Sequence, residues 1–245
     1  MGEKLQNPGD VTCDVCTLTT HGGQTIDLKA DPQNKQEGFI AEVNIYEDMW
    51  SKFVHGDITL RDAANLMESG PIVGGETITM KFRTNTFPGD MQHAIDRSFK
   101  VTGVYHRTLN NDREQIYMLK FISIEAYNDQ TKIVGQRFTG KTHELILKIY
   151  DELIKVGRPG LPGQASDGLF IGDTPHVSKT NFVSNQWTPF QIFDWLTRYC
   201  QGNKNIGADF LFYESHKSFW FTSIQQRIDE QLAVPFEEYI YELPG

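Results

Sequence analysis

Cys13 and Cys16 stand three apart in the run CDVC, with His21 five residues farther on. Thiols at this spacing can form half of a zinc knuckle or a redox dithiol. No second CxxC completes a ligand set, however, and the flanking residues alternate like a strand, whereas redox dithiols open a helix. The pair therefore reads as strand thiols. Cys200 could be a nucleophile with one of the seven histidines as its base. It closes a helical stripe behind Phe193 and Leu196, where a free thiol serves as a small hydrophobe. Glu47-Asp48 and Glu237-Glu238 supply adjacent carboxylates, but strand neighbours point to opposite faces, and two-carboxylate hydrolysis needs them facing one another. Gly74-Gly75 is not followed by the lysine and hydroxyl residue of a phosphate loop. The run Phe210, Phe212, Tyr213, Phe219, Trp220 and Phe221 could stack bases as an OB-like module does, yet Lys217 is the one lysine or arginine in that hairpin. No catalytic residue, cofactor or metal is assigned from the sequence.

The bulk composition narrows the partners. The chain has 245 residues, 39% hydrophobic and 22% charged, enough for one medium domain and a smaller one. With 23 basic and 32 acidic side chains the net charge is −9. Duplex binding needs a basic stripe, and an anionic membrane surface attracts one too, so both are disfavoured. An acidic chain suits a conduit through which nucleic acid passes without sticking. Three cysteines are too few for a disulfide framework, which points to assembly in a reducing cytoplasm. The opening MGEKLQNPGD is polar, unlike a leader, and no apolar run approaches the roughly 20 residues of a membrane helix.

The elements that would position these residues are mainly strands. The stretch Gly38–Phe82 organises them, with Phe39, Ala41, Val43 and Ile45 sharing one face of a first run. Val54, Gly56, Ile58 and Leu60 repeat the rhythm in a second run, and Ile78, Met80 and Phe82 in a third, read as three adjacent strands. Val11–Thr19 and Thr25–Ala30 form a hairpin around His21-Gly22-Gly23. Phe99, Val101, Gly103 and Tyr105 alternate along another strand, answered by Gln115–Ala126 with Ile116, Met118, Ile122 and Ile124 on one face. About seven antiparallel strands before residue 128 predict a small barrel or strongly curved sheet. From Thr142 to Val156 an apolar stripe at helical spacing predicts a helix. Thr188-Pro189-Phe190-Gln191 is a capping box with proline at the first helical position. Ala208–Glu214 and Phe219–Ile224 make a third hairpin, QRIDEQLA a short helix and FEEYIYEL a last strand. The predicted class is α+β, mainly antiparallel β, divided as a barrel domain at 1–128, an α+β domain at 129–230 and a terminal segment at 231–245.

These landmarks form a familiar succession. Asn44-Ile45-Tyr46-Glu47 precedes Gly56-Asp57-Ile58-Thr59-Leu60 and Asp62; Gly70-Pro71-Ile72 and Gly74-Gly75-Glu76-Thr77-Ile78 follow. Thr188-Pro189-Phe190 then leads through Trp195-Leu196 to Cys200. Phe210-Leu211-Phe212-Tyr213-Glu214-Ser215 and Phe219-Trp220-Phe221-Thr222-Ser223-Ile224 close the series. From Cys13 to Ile224 the order resembles the baseplate hub proteins of contractile-tailed bacteriophages and related injection machines. That resemblance implies a tail-tube-like β-barrel followed by an α+β insert. It also implies a structural, non-enzymatic homotrimer ring in the virion baseplate, joining the tail tube to the central spike. DNA would leave through its bore, without specific binding and without membrane binding by this chain. In the family a second tube-like domain follows the insert. Glu42, Glu47, Asp57 and Asp62, in the central sheet, are the candidates for the bore or the protomer joint. The alternatives are a single-strand nucleic-acid-binding OB-like module and a hydrolase using Cys200.

Overall fold

The computed structural model describes residues 11–29, 38–70, 72–84, 94–111, 114–158, 164–172, 180–202 and 209–233. Val11–Thr19 (β1) and Thr25–Asp27 (β2) form the first hairpin, and Ile40–Tyr46 (β3) and His55–Asp62 (β4) the second. A single-turn helix, Leu66–Ser69 (α1), precedes Thr77–Thr84 (β5). Ile95–Asn111 (β6) and Glu114–Ser123 (β7) are the long arms of the third hairpin. Together they make one seven-stranded sheet in the order β2-β1-β5-β6-β7-β4-β3, antiparallel at every pairing. The strand order corrects one expectation: β5 is not beside β4, because the β6–β7 hairpin lies between them.

The sheet curls until its two edges touch. Leu28 N–H donates to the Cys16 carbonyl at 2.9 Å, Phe39 N–H to the Leu28 carbonyl at 3.0 Å and Arg61 N–H to the Phe39 carbonyl at 2.7 Å. This chain of three bonds runs from β1 to β4 across the gap, so the sheet surrounds its own core as a small barrel does. Leu18, Ile58, Leu60, Ile78, Met80 and Phe99 are wholly buried inside it.

Three of the expected faces differ, two of them through bulges. In β3 the register shifts between Ile40 and Glu42, so Ile40 joins Val43 and Ile45 against the core while Ala41 is exposed. In β6 a shift between Val101 and Gly103 turns Val104 toward the core and leaves Tyr105 43% exposed. Further shifts follow between Tyr105 and Thr108, where His106 has φ 51°, and between Leu109 and Asn111. In β7 the inward residues are Tyr117, Leu119 and Phe121, the opposite phase to Ile116 and Met118. Apolar residues occupy both faces there, so alternation alone does not say which is inside.

After Ser123 the chain leaves the sheet. Ser123 Oγ accepts the Ala126 N–H at 3.3 Å and caps Ile124–Thr131 (α2), a helix where the sequence pattern predicts more strand. Arg137–Gly140 (β8) pairs with Thr180–Val183 (β10). Thr142–Ile149 (α3) continues as a π-helical turn through Tyr150–Ile154, close to the predicted helix. Pro189–Arg198 (α4) starts as expected: Thr188 Oγ1 accepts the Gln191 N–H and Gln191 Oε1 accepts the Thr188 N–H. Buried Asp129, at the end of α2, accepts the Phe190 N–H at 2.6 Å and ties the two helices together. Phe210–Glu214 (β11) and Phe219–Ser223 (β12) form the expected hairpin, Leu169–Ile171 (β9) adds to β12 in parallel, and Ile224–Ala233 (α5) follows. These elements surround a second apolar cluster, which also takes in Ile122 and Phe53 from the sheet side. FEEYIYEL and Glu237-Glu238 lie outside the described residues.

Gly56 is where β3, β4 and β7 are drawn closest. A Cβ there would lie 2.2 Å from the Asn44 carbonyl oxygen and 2.5 Å from Cζ of the buried Phe121 ring. Neither neighbour can retreat, since one is ladder backbone and the other core. Gly56→Ala is therefore expected to lower unfolding free energy by at least about 2 kcal/mol in a urea titration. Gly135→Ala, with nothing within 4 Å of the new atom, should stay within about 0.5 kcal/mol of the parent.

Candidate functional site

The four predicted acidic residues do not form one cluster. Glu42 is exposed on β3, and Asn44 Nδ2 donates to Glu42 Oε1 at 3.0 Å and to Asp57 Oδ1 at 3.1 Å. Asp57 is paired with Asn44 on one side and Lys120 on the other, so an outward polar row crosses β3, β4 and β7. Asp62 is used inside the protein. It is 1% exposed and accepts the Ala64 and Leu66 N–H groups at 3.0 and 2.8 Å and the Tyr117 hydroxyl at 3.2 Å. Glu47, just past β3, turns toward the second core, where Oε2 accepts the His216 N–H at 2.9 Å and lies 3.0 Å from its Nδ1. The hydrogen bond from His216 holds the Glu47 carboxyl below the ordinary range despite its partial burial.

Between the two cores lies a group of buried charges that the sequence reading missed. Glu214, at the end of β11, is wholly buried. Its Oε2 accepts the Val54 N–H at 2.7 Å, and Oε1 takes Arg97 Nη2 of β6 at 2.6 Å and Arg158 Nη2. Arg158 also donates through Nε to Glu125 in the first turn of α2, and Glu125 Oε2 is 3.7 Å from Arg97 Nη2. Arg97 Nη1 reaches the Ser215 carbonyl at 3.3 Å. Two guanidiniums thus face two carboxylates in a site where each side chain is 9% exposed or less. Aromatic faces complete the surroundings: Phe99 lies 5.1 Å from the Arg97 guanidinium and Phe219 5.0 Å from that of Arg158. Burial opposes ionisation of Glu214, but Arg97, Arg158 and the Val54 amide outweigh it and hold its carboxyl below the ordinary value. Burial likewise opposes charge on Arg158, which Glu125 and Glu214 more than offset. No motif spacing announces this cluster, since its members lie at 97, 125, 158 and 214. The one available signal was charge in otherwise apolar runs, such as Glu214 ending FLFYE.

The other chemical candidates have structural occupations. Cys13 and Cys16 lie in β1, opposite Phe82 and Met80. Burial pushes the Cys16 thiol up to about 12, and His21 Nε2 is 2.8 Å from the Gly74 carbonyl. Cys200 Sγ donates to the Leu196 carbonyl at 3.0 Å, and burial pushes it up to about 12 as well, which suppresses the thiolate at neutral pH. Among the described residues no group of three or more histidine, cysteine or acidic side chains is placed to hold a metal. Phe212 is 7% exposed. Trp220 is half-buried, with Phe170 stacked on it at 4.3 Å and the Arg227 guanidinium 4.3 Å from its ring, so its surface is already engaged. That geometry does not support base stacking.

The junction makes a direct prediction. Arg97→Ala leaves Glu214 charged, buried and short of a partner, and should cost about 3–5 kcal/mol in denaturant unfolding. Lys81→Ala, which removes the partly exposed 3.0 Å pair with Asp96, should cost less than about 1 kcal/mol.

No family model and no characterised protein matches the sequence itself. In structure the chain is similar to the 43 kDa tail protein of prophage MuSo2 from Shewanella oneidensis. The TM-score is 0.51 at 11% identity, over 85% of this chain and 53% of that one. A component of the E. coli type VI secretion system, described as structurally similar to the T4 bacteriophage tail proteins gp27 and gp5, aligns with a TM-score of 0.46 at 13% identity. That alignment covers 74% of this chain and 46% of the other. The chain thus spans about half the length of the MuSo2 tail protein and shares its fold, mainly antiparallel β in an α+β chain. A phage tail protein stands in structure where the motif succession resembles baseplate hubs.

Proposed function

We propose that the protein is a structural component of a phage tail. On this reading it is a baseplate hub subunit whose copies form a trimeric ring between the tail tube and the central spike, with DNA leaving through the opening. The observation that carries the reading is the curled seven-stranded sheet, built by the residues whose order resembles the hub proteins and similar in fold to the MuSo2 tail protein. The role is mechanical: specificity resides in buried interface area between protomers and with the tube and spike. Virion location, in the tail baseplate after assembly in the host cytoplasm, follows from the same reading.

Within it, Glu42, exposed on β3, is the acidic side chain assigned to the bore or the protomer joint, with Asp57, 9% exposed, joined to it through Asn44. Like charge along a bore weakens adsorption of the DNA polyanion. Glu47 and Asp62 are engaged within the protomer, by His216 and by the Ala64 and Leu66 amides and the Tyr117 hydroxyl.

Light scattering should give three times the 28.0 kDa chain mass for the purified chain alone, or three chains plus the bound spike once its spike partner is added. A persistent monomer in both would sink the ring. Glu42→Lys should leave chain stability within about 0.5 kcal/mol while weakening trimer formation or DNA ejection. If both are unchanged, the assignment of that face is wrong.

A further inference from the structure

We propose that the second core is held on the sheet in part by the Arg97–Glu125–Arg158–Glu214 cluster, and that taking a proton at Glu214 opens this junction to water while the bulk of both apolar cores persists. The geometry comes first. Glu214 is the one group in the cluster that bonds at once to β6 through Arg97, to the entry of β4 through Val54 N–H and to the exit of the π-helical turn through Arg158. With its charge removed, Arg97 and Arg158 are left in the same buried space with Glu125 alone to balance them. Like charges in low dielectric repel far more than in water. The least costly response is to admit water at the cluster, where charge joins the parts, rather than at Ile122 and Phe53, where apolar side chains from the sheet side pack in the second core.

The charged and titratable groups around Glu214 are few. Arg97 comes from β6, Arg158 from beyond the π-helical turn and Glu125 from α2. Tyr150 lies within electrostatic reach of Arg158, Glu125 and Glu214, and burial raises its hydroxyl, so it stays neutral. At the rim, His216 bonds to Glu47, and Lys52 lies 3.6 Å from Asp194, as further polar contacts between the parts. The sign is set by the lowered Glu214 carboxyl. Its contribution is fully present above the ordinary value of 4.5 and is lost as pH falls through the folded value. Protonation of Glu47, also lowered, would act in the same direction. Opening therefore belongs to acid conditions, below the ordinary carboxylate range.

Residue-resolved amide exchange on the full chain tests this, with protection expressed relative to intrinsic rates. As pH falls from about 7 toward the onset of acid unfolding, the Val54 and His216 amides, which donate across the junction, should lose at least about tenfold protection. Leu119 in the sheet and Phe193 in α4 should change by less than about twofold over the same range. Glu214→Gln should show the unprotected Val54 amide already at neutral pH. Val54 protection that survives until the chain unfolds in acid, or that falls only together with Leu119 or Phe193, overturns the proposal. So does a folded Glu214→Gln chain whose Val54 amide is as protected as in the parent. Should that variant not fold, the parent titration decides alone.

Discussion

A carboxylate removed from water must find opposite charge and donors or give up its proton, and Glu214 meets that demand with three elements that are far apart in sequence. Much of the arrangement follows. Holding Val54 fixes where β4 begins, and with it the crossing segment that places Phe53 in stacked contact with Phe190 at 6.3 Å. Holding Arg97 fixes the start of β6 against the end of β11, and Arg158 pins the chain leaving the π-helical turn to the start of α2. Ion pairs of this kind add little net stability, because desolvation consumes most of the attraction. What they supply is orientation: an apolar contact of equal area would tolerate sliding and rotation, whereas two forks against two carboxylates do not.

The division of labour is consistent with the proposed role. A curled sheet gives a stiff wall, and its outward polar row, Glu42, Asn44 and Asp57, is arranged by hydrogen bonds within that wall. The second core is built differently, from short helices and small sheets around aromatic rings such as Phe190, Phe193, Phe212 and Phe219, mutually 4.4–6.2 Å apart. Rings of this size fill irregular space between unlike elements, which a regular strand pattern cannot.

The legible parts of the fold were those governed by local rules. Period-two alternation found the strands, the capping box found the start of α4 to the residue, and the apolar stripe found α3. What escaped depended on distant partners. Ile122 and Ile124 extend the β7 pattern, yet the chain turns into α2 because Ser123 caps it and the second core receives Ile122. The inward face of β7 was misassigned because Ile116 and Met118 are as apolar as Leu119 and Phe121, and tertiary cover alone separates them. β8, β9 and β10 are three or four residues long, too short for periodicity to register. Glu42 and Asp57 are joined through Asn44, with Asp57 itself buried, but nothing local marks Asp62 as the acceptor for the first amide of α1 or Glu47 as a partner of His216. The Arg97–Glu214 group was invisible for the same reason.

The irregular course of β6 bears on how the molecule avoids the wrong company. Its first part is paired with β5 as far as Lys100, with two further bonds at Val101, from the Gly75 N–H and to the Glu76 carbonyl; beyond that, among the described residues, its other flank carries no strand. Ten residues of straight, unpaired backbone would accept a strand from any unfolded chain in a crowded cell. Three register shifts and a left-handed His106 break that flank into pieces too short and too twisted for an undiscriminating ladder. Misfolded aggregation is thereby refused at the level of backbone geometry, and what can still settle along that arm must be shaped to its bends.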